Sequence, residues 1–390
     1  MKPTTRWNGF AQTPKKHILV GMTKGPECFE NWKAANMGAV IQRSFEYPFF
    51  TDARIVGDDL SDGFGPYLIM NAVTMKRGRP ALVLYLDQHL TYDSQVQLET
   101  DEAAYHAGYL QDEIAALLSL SMGIRLKAGE VNRTFAPGDP AGRPISCGLT
   151  EDPLPPSVPD VCVLPSLTGN HHMRAGELLR TLVNLDVTDV TVLVRAARLY
   201  QEAVWVVEGT PELSWLMLTS AAETVASRWR TTTEQPVERL ALSRPHLIEL
   251  LEKHGGQQLV NTVAEELAPY MGATKTFVDF LLKFLPEPPA ERSYEWAQHG
   301  WDYRAMKKSL TLIYKYRSRA LHGGHPFPAP MCTAPIRVAE KPALVEVPLG
   351  LAASSHGATW AQKDTPMLLH VFEYIVRGAV LNWWRSVVHK

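Results

Sequence analysis

Apolar positions along this chain change their spacing near residue 100. Before it they come in short runs, HILVGM (17–22), AVIQRSFEYPFF (39–50), YLIMNAVTM (67–75) and ALVLYLDQHLTY (81–92), separated by Gly, Pro and Asp. Runs of that length with that punctuation predict strands in a sheet or sandwich over residues 16–100. From Asp101 and Glu102 the period lengthens. Ile114, Leu117, Leu118 and Ile124 mark an amphipathic helix, expected to end before Gly129 and to cover the sheet.

Pro, Gly and Asp then crowd the segment 137–165 (APGDPAGRPISCG, EDPLPPSVPD), which reads as a linker between two packed units. Beyond it, helices are predicted near 175–184, 188–208, 211–230, 245–254, 258–269, 274–285, 303–322 and 366–388. Ser243 with Pro245 starts one of them, Gly255 stops it, and Thr365 with Pro366 opens the last. Leu368, Leu369, Phe372, Ile375, Val376, Val380, Trp383 and Trp384 give that last helix a broad apolar face, with core packing favoured over a subunit interface. Residues 323–364 form a Pro-rich excursion with ALVEVPLGL (343–351) as a strand candidate. The expected fold class is α+β: a β-rich N-terminal domain over 1–136, the linker over 137–165 and a helical bundle over 166–390.

A net charge of −2 excludes a chain-wide nucleic-acid coat and leaves room only for a local patch. Arg304, Lys307, Lys308, Lys315, Arg317 and Arg319 supply one along the predicted 303–322 helix, readable as an anion site or as a solvated face. Cys28, Cys147, Cys162 and Cys332 form no CxxC pair, and neither His171 with His172 nor Asp58, Asp59 and Asp62 completes a ligand set. No metal and no cofactor are expected. Neither a phosphate-binding glycine loop with lysine nor a nucleophile elbow is present. The N-terminus lacks a signal-peptide core, and no run approaches about 18 uninterrupted apolar residues, so a cytoplasmic location without membrane contact is expected.

The segment YKYRSRALHGG, Tyr314 to Gly324, carries the most chemistry. It places Arg317, a permanent cation with a forked donor set, five positions before His322, a group that exchanges protons near neutrality. On an ideal helix the two lie about 140° apart, so convergence requires Gly323 and Gly324 to turn His322 back. The other reading of Arg317 is a polar tie from the helix end to a neighbour, with Glu223 as partner. Tyr314, one turn earlier, stacks nearby or belongs to the core.

This pattern resembles the signature of HEPN domains, in particular the Apea-like group, and residues 195–229 resemble that family's earlier helix pair with Glu223 at the position of a helix glutamate. The resemblance covers roughly the C-terminal half. It implies a helical bundle that dimerises and, in many members, a metal-independent endoribonuclease yielding a 2′,3′-cyclic phosphate and a 5′-hydroxyl, with phage defence or a toxin-like stress response as the setting. In that reading His322 is the general acid or base and Arg317 stabilises the phosphate. Ser318, Glu223 and Tyr314 support them, Lys315, Arg319, Lys308 and His325 meet the substrate, and the N-terminal domain senses a trigger or partner. The alternative is a non-catalytic HEPN module that binds RNA, nucleotide or protein and acts through dimerisation.

Overall fold

The structure is a computed structural model and describes residues 25–72, 80–91, 100, 106, 108–145, 151–156, 161–231, 235–267, 271–338, 343–350, 352–355 and 357–388. The strand expected at 17–22, the helix opening at Asp101 and Glu102, and Cys147 lie outside those residues.

Helix α1 (Glu27–Asn36) precedes β1 (Arg43–Phe50), β2 (Arg54–Val56), β3 (Tyr67–Asn71) and β4 (Pro80–Gln88). Helix α2 (Leu110–Met122) follows, then β5 (Lys127–Ala128), β6 (Arg133–Phe135), β7 (Arg143–Pro144) and β8 (Asn170–His172). Six of these strands form an antiparallel sheet in the order β3-β4-β1-β6-β7, with β5 also on β1. The short apolar runs of the sequence thus supply the strands β1, β3 and β4. Helix α2 is apolar all round and buried from Ile114 to Leu118, as a helix enclosed between layers must be. It ends at Gly123, whose φ of 69° is the left-handed conformation that glycine adopts at least cost, and so before Gly129 as expected.

A 3₁₀ stretch (Met173–Asn184) leads into α3 (Val187–Val206), α4 (Pro211–Thr231), α5 (Pro236–Ser243), α6 (Pro245–Leu267), α7 (Ala273–Lys283) and α8 (Tyr303–Gly323). The hairpin β9 (Ala352–Ser355) and β10 (Ala358–Ala361) precedes α9 (Leu369–Val388). The helices expected at 245–254 and 258–269 are the two halves of α6, joined through Gly256 with φ 64°. The strand expected at 343–351 is reduced to a single bridge, Arg337 to Leu344. Helix α9 begins three residues after Pro366, and its apolar face is buried as expected. Helices are the larger part of an α+β fold in which the sheet comes first and the bundle later.

The division at 137–165 into two separately packed units is not what the core shows. One apolar cluster runs from Cys28 to Trp384, and α2 packs directly on α3. Strand β2 pairs in parallel with β8, across the proline-rich segment. Arg125 explains the continuity. Its guanidinium is fully buried and binds Asp52 at 2.6 Å, Glu208 at 2.7 Å and the Val204 carbonyl at 2.8 Å. Glu208 in turn accepts the Val163 amide at 2.8 Å, fixing the end of the proline-rich segment.

Arg125→Met should lower stability by about 3–5 kcal/mol in denaturant unfolding, because it leaves two buried carboxylates without their cation. A loss under about 1 kcal/mol would show that the cluster does not hold the layers together. A second expectation concerns Glu113, which accepts the Cys28 amide at 2.8 Å and whose carboxyl burial pushes up to about 7 from an ordinary 4.5. The unfolded chain releases this proton first, so stability should fall as pH rises from about 4.5 to about 7. In Glu113→Gln that part of the slope should disappear from melting temperatures measured across the window.

Candidate nucleic-acid interface

Helix α8 starts where the Asp302 carboxylate accepts the amides of Arg304 and Ala305, both at 3.0 Å. It ends at Gly324, whose φ of 64° closes the helix with its amide on the Arg319 carbonyl. Met306, Leu310, Ile313 and Tyr314 recur at helical spacing and are buried, which fixes the rotation of the helix. The left-handed turn comes after His322, so the imidazole stays in regular helix and the expected turning back does not occur. Arg317 and His322 therefore remain about 140° apart, on opposite sides of α8.

Arg317 faces inward. Its Nη2 binds Glu223 Oε2 on α4 at 2.7 Å, and the Tyr314 hydroxyl donates to Glu223 Oε1 at 2.7 Å. The guanidinium carbon lies 5.5 Å from the centroid of the Tyr314 ring, which packs on Phe277 at 5.2 Å. Burial and the Glu223 carboxylate raise the Tyr314 hydroxyl well above its ordinary value, so it acts as a neutral donor. Three expected site residues, Glu223, Tyr314 and Arg317, thus form one polar tie between α4 and α8.

The outer face is a separate assembly. Arg304, Lys308, Lys315, Arg319 and His322 are all exposed, and at about 100° per residue they fall within roughly 60° of each other. They span 18 residues, or about 27 Å at 1.5 Å per residue. No Asp or Glu occurs within α8, and among the described residues none of the five side chains is in an ion pair. Ser318 and Arg319 lie one turn before His322 and are the residues the helix brings beside it, whereas Arg317 is not. Exposed Lys307 flanks the stripe with its ammonium 5.5 Å from the Tyr303 ring centroid. His325 is exposed just past the helix end, beyond the turn.

A helical projection of the sequence contains this stripe, and Arg319, expected there as a substrate contact, is the arginine that stands beside His322. The other polar candidates have local roles. His171 Nδ1 meets the Met122 carbonyl at 3.1 Å, His172 accepts the Arg174 amide at 3.2 Å, and Asp59 accepts the Asn71 amide at 2.7 Å. Among the described residues no cluster of His, Cys, Asp and Glu is arranged to hold a metal ion, and no helix is long and apolar enough to cross a membrane. No family model, curated protein or solved structure matches this chain.

Glu223→Gln keeps the shape of the tie and removes its charge. It should cost about 1.5–3 kcal/mol in unfolding measurements, the range for a hydrogen bond to a charged partner. An unchanged midpoint would mean that the tie contributes nothing to holding α8 on α4.

Proposed function

We propose that this protein binds RNA as a HEPN-type module, along the solvent face of α8. The observation that carries the reading is the stripe of four exposed cations, Arg304, Lys308, Lys315 and Arg319, on a helix that holds no carboxylate after its cap Asp302. In a chain of net charge −2 such a stripe is a local attraction for a polyanion, not a consequence of overall composition. Arg304 with Lys308 and Lys315 with Arg319 are each four apart, about 6 Å along the helix, with about 10 Å between the two pairs, so each pair can meet neighbouring phosphates of an extended strand. The resemblance to HEPN domains supports RNA as the polyanion.

Counterion release gives the test a magnitude. With four phosphate contacts on a single strand, the logarithm of affinity should fall with the logarithm of salt at a slope of about −3. Replacing Lys308, Lys315 and Arg319 together by alanine should reduce the slope to about −1 while leaving the melting temperature unchanged. A parent protein that ignores a 20-mer RNA at low salt, or a variant that binds with an undiminished slope, would sink the reading.

A second reading, the metal-independent endoribonuclease, is favoured by one specific feature. His322 is exposed, has no hydrogen-bond or ion-pair partner among the described residues, and stands on the same face as the cations. There it would take the proton of a ribose 2′-hydroxyl, and Arg319, one turn away, would meet the charge growing on the phosphate. The 2′-oxygen bonds to phosphorus as the bond to the 5′-oxygen breaks, that oxygen takes a proton from solvent water, and a 2′,3′-cyclic phosphate remains. Arg317 keeps its place in the scaffold, and a homodimer is the arrangement that would present two such faces together.

RNA cleavage should then proceed in EDTA and spare DNA of the same sequence, which lacks the nucleophile. His322→Ala should slow it by about 10²–10⁴-fold. Arg319→Ala should slow it without affecting stability, and Arg317→Ala should act through stability. A requirement for a divalent ion would exclude this chemistry, and sedimentation as a strict monomer would exclude the paired arrangement.

A further inference from the structure

A cavity of about 410 Å³ lies away from α8, where α9 meets the C-terminal end of α2, the strand β8 and the chain around Leu344. Its body is apolar, from Met122, Pro165, Leu344, Val371 and the Tyr374 ring. That volume is in the range of small-molecule sites, which are mainly apolar with a few directed polar groups.

Four of the five charged groups in its wall are held by the protein itself, and the fifth, Glu291, is exposed. Arg292 grips Glu346 with Nε at 2.7 Å and Nη2 at 2.5 Å, and Glu346 also accepts the His299 amide at 2.8 Å. Glu373 accepts the Tyr200 hydroxyl at 2.6 Å and pairs with Arg377 at 3.4 Å. Arg337 is engaged as well. A wall whose cations are already engaged offers little to an anionic ligand, which would have to displace those partners.

Two imidazoles are not used up in this way. His171 donates from Nδ1 to the Met122 carbonyl, so in its neutral form Nε2 presents a lone pair. His370 has a buried Nδ1 without a partner and no hydrogen bond at Nε2 among the described residues. Burial pushes its imidazolium down to about 4, so the ring is neutral at physiological pH. A neutral imidazole carries one donor and one acceptor, and among the described residues neither nitrogen of His370 has a hydrogen-bond partner.

We infer that this cavity is a binding site for an uncharged heterocycle with both donors and acceptors on its edge, a nucleobase or nucleoside, read by His171 and His370. The planar ring lies in the apolar body beside Tyr374 and Val371, and its polar edge meets the two histidines. The site adjoins α2, β8 and α9 at once, so an occupant would brace the sheet-bearing part of the chain against the helices. This inference stands independently of RNA binding by α8, none of whose residues line the cavity.

The test is isothermal titration of the full chain with adenosine, guanosine, cytidine and uridine, each to about 1 mM, beside their 5′-monophosphates. At least one nucleoside should bind, and raise the melting temperature, with the monophosphate no tighter. His370→Phe, which keeps an aromatic ring and removes the polar edge, should weaken binding by about tenfold or more. Leu344→Trp, which fills the cavity from its loop side, should abolish it without lowering the melting temperature of the unliganded protein. Absence of binding by all four nucleosides overturns the inference, as does binding that survives both substitutions. A monophosphate binding at least about tenfold more tightly than its nucleoside would reassign the cavity to an anion and overturn it equally.

Discussion

Arg125 is the residue on which the continuity of this fold depends. A guanidinium with no exposed surface needs partners, and each of its three nitrogens has one, on Asp52, on Glu208 and on a carbonyl of α3. Those partners belong to the turn after β1, to the end of α3 and, through the Glu208 contact with Val163, to the proline-rich segment. Taking such a charge from water costs several kcal/mol, so the arrangement persists only if all these elements arrive together. That requirement turns a sheet and a helical bundle into neighbours with one shared core.

Local spacing in the sequence was enough for β1, β3, β4 and for most of the helices from α3 to α9, since their apolar periods are set within each element. It was not enough for α1, or for α5, which at 8 residues spans little more than two turns. Nor did it reveal the shared core. The partners of Arg125 lie 73 and 83 residues away, and nothing in the proline-rich composition of the intervening chain indicates that its ends are bound to the same guanidinium. Proline content marks the absence of regular structure and says little about whether the chain on either side packs together. Trp215 makes the same point further on, stacking at 5.2 Å on Phe327 and at 4.6 Å on Phe372, and so drawing the segment after α8 and the helix α9 onto α4.

At the candidate site the sequence pointed to α8 and to the partnership of Arg317 with Glu223, but the motif grouped residues by order and not by face. A helix separates positions five apart and joins those three or four apart, so Arg319 and Ser318 accompany His322 while Arg317 turns to α4. The cavity at α9 was invisible beforehand for a different reason. Its polar members come from four separated stretches, and their importance lies in which of them lack partners, a property that only tertiary structure defines.

The two faces of α8 show how one helix handles like charges in two ways. Arg317, half-buried, sits where the dielectric is low, and there an unpaired cation would be costly, so Glu223 neutralises it and Tyr314 holds the carboxylate in place. Arg304, Lys308, Lys315 and Arg319 are solvated, so their charges cost little and need no partner. Like charges one turn apart on an isolated helix repel by a few tenths of a kcal/mol per pair, and the buried side of α8 supplies enough packing to bear that. A stripe of this kind is therefore an arrangement that the fold tolerates and does not itself require. Its stabilisation would come from a polyanion laid along it, and the neutralised Arg317 beneath ensures that the helix remains docked on α4 whether or not that polyanion is bound.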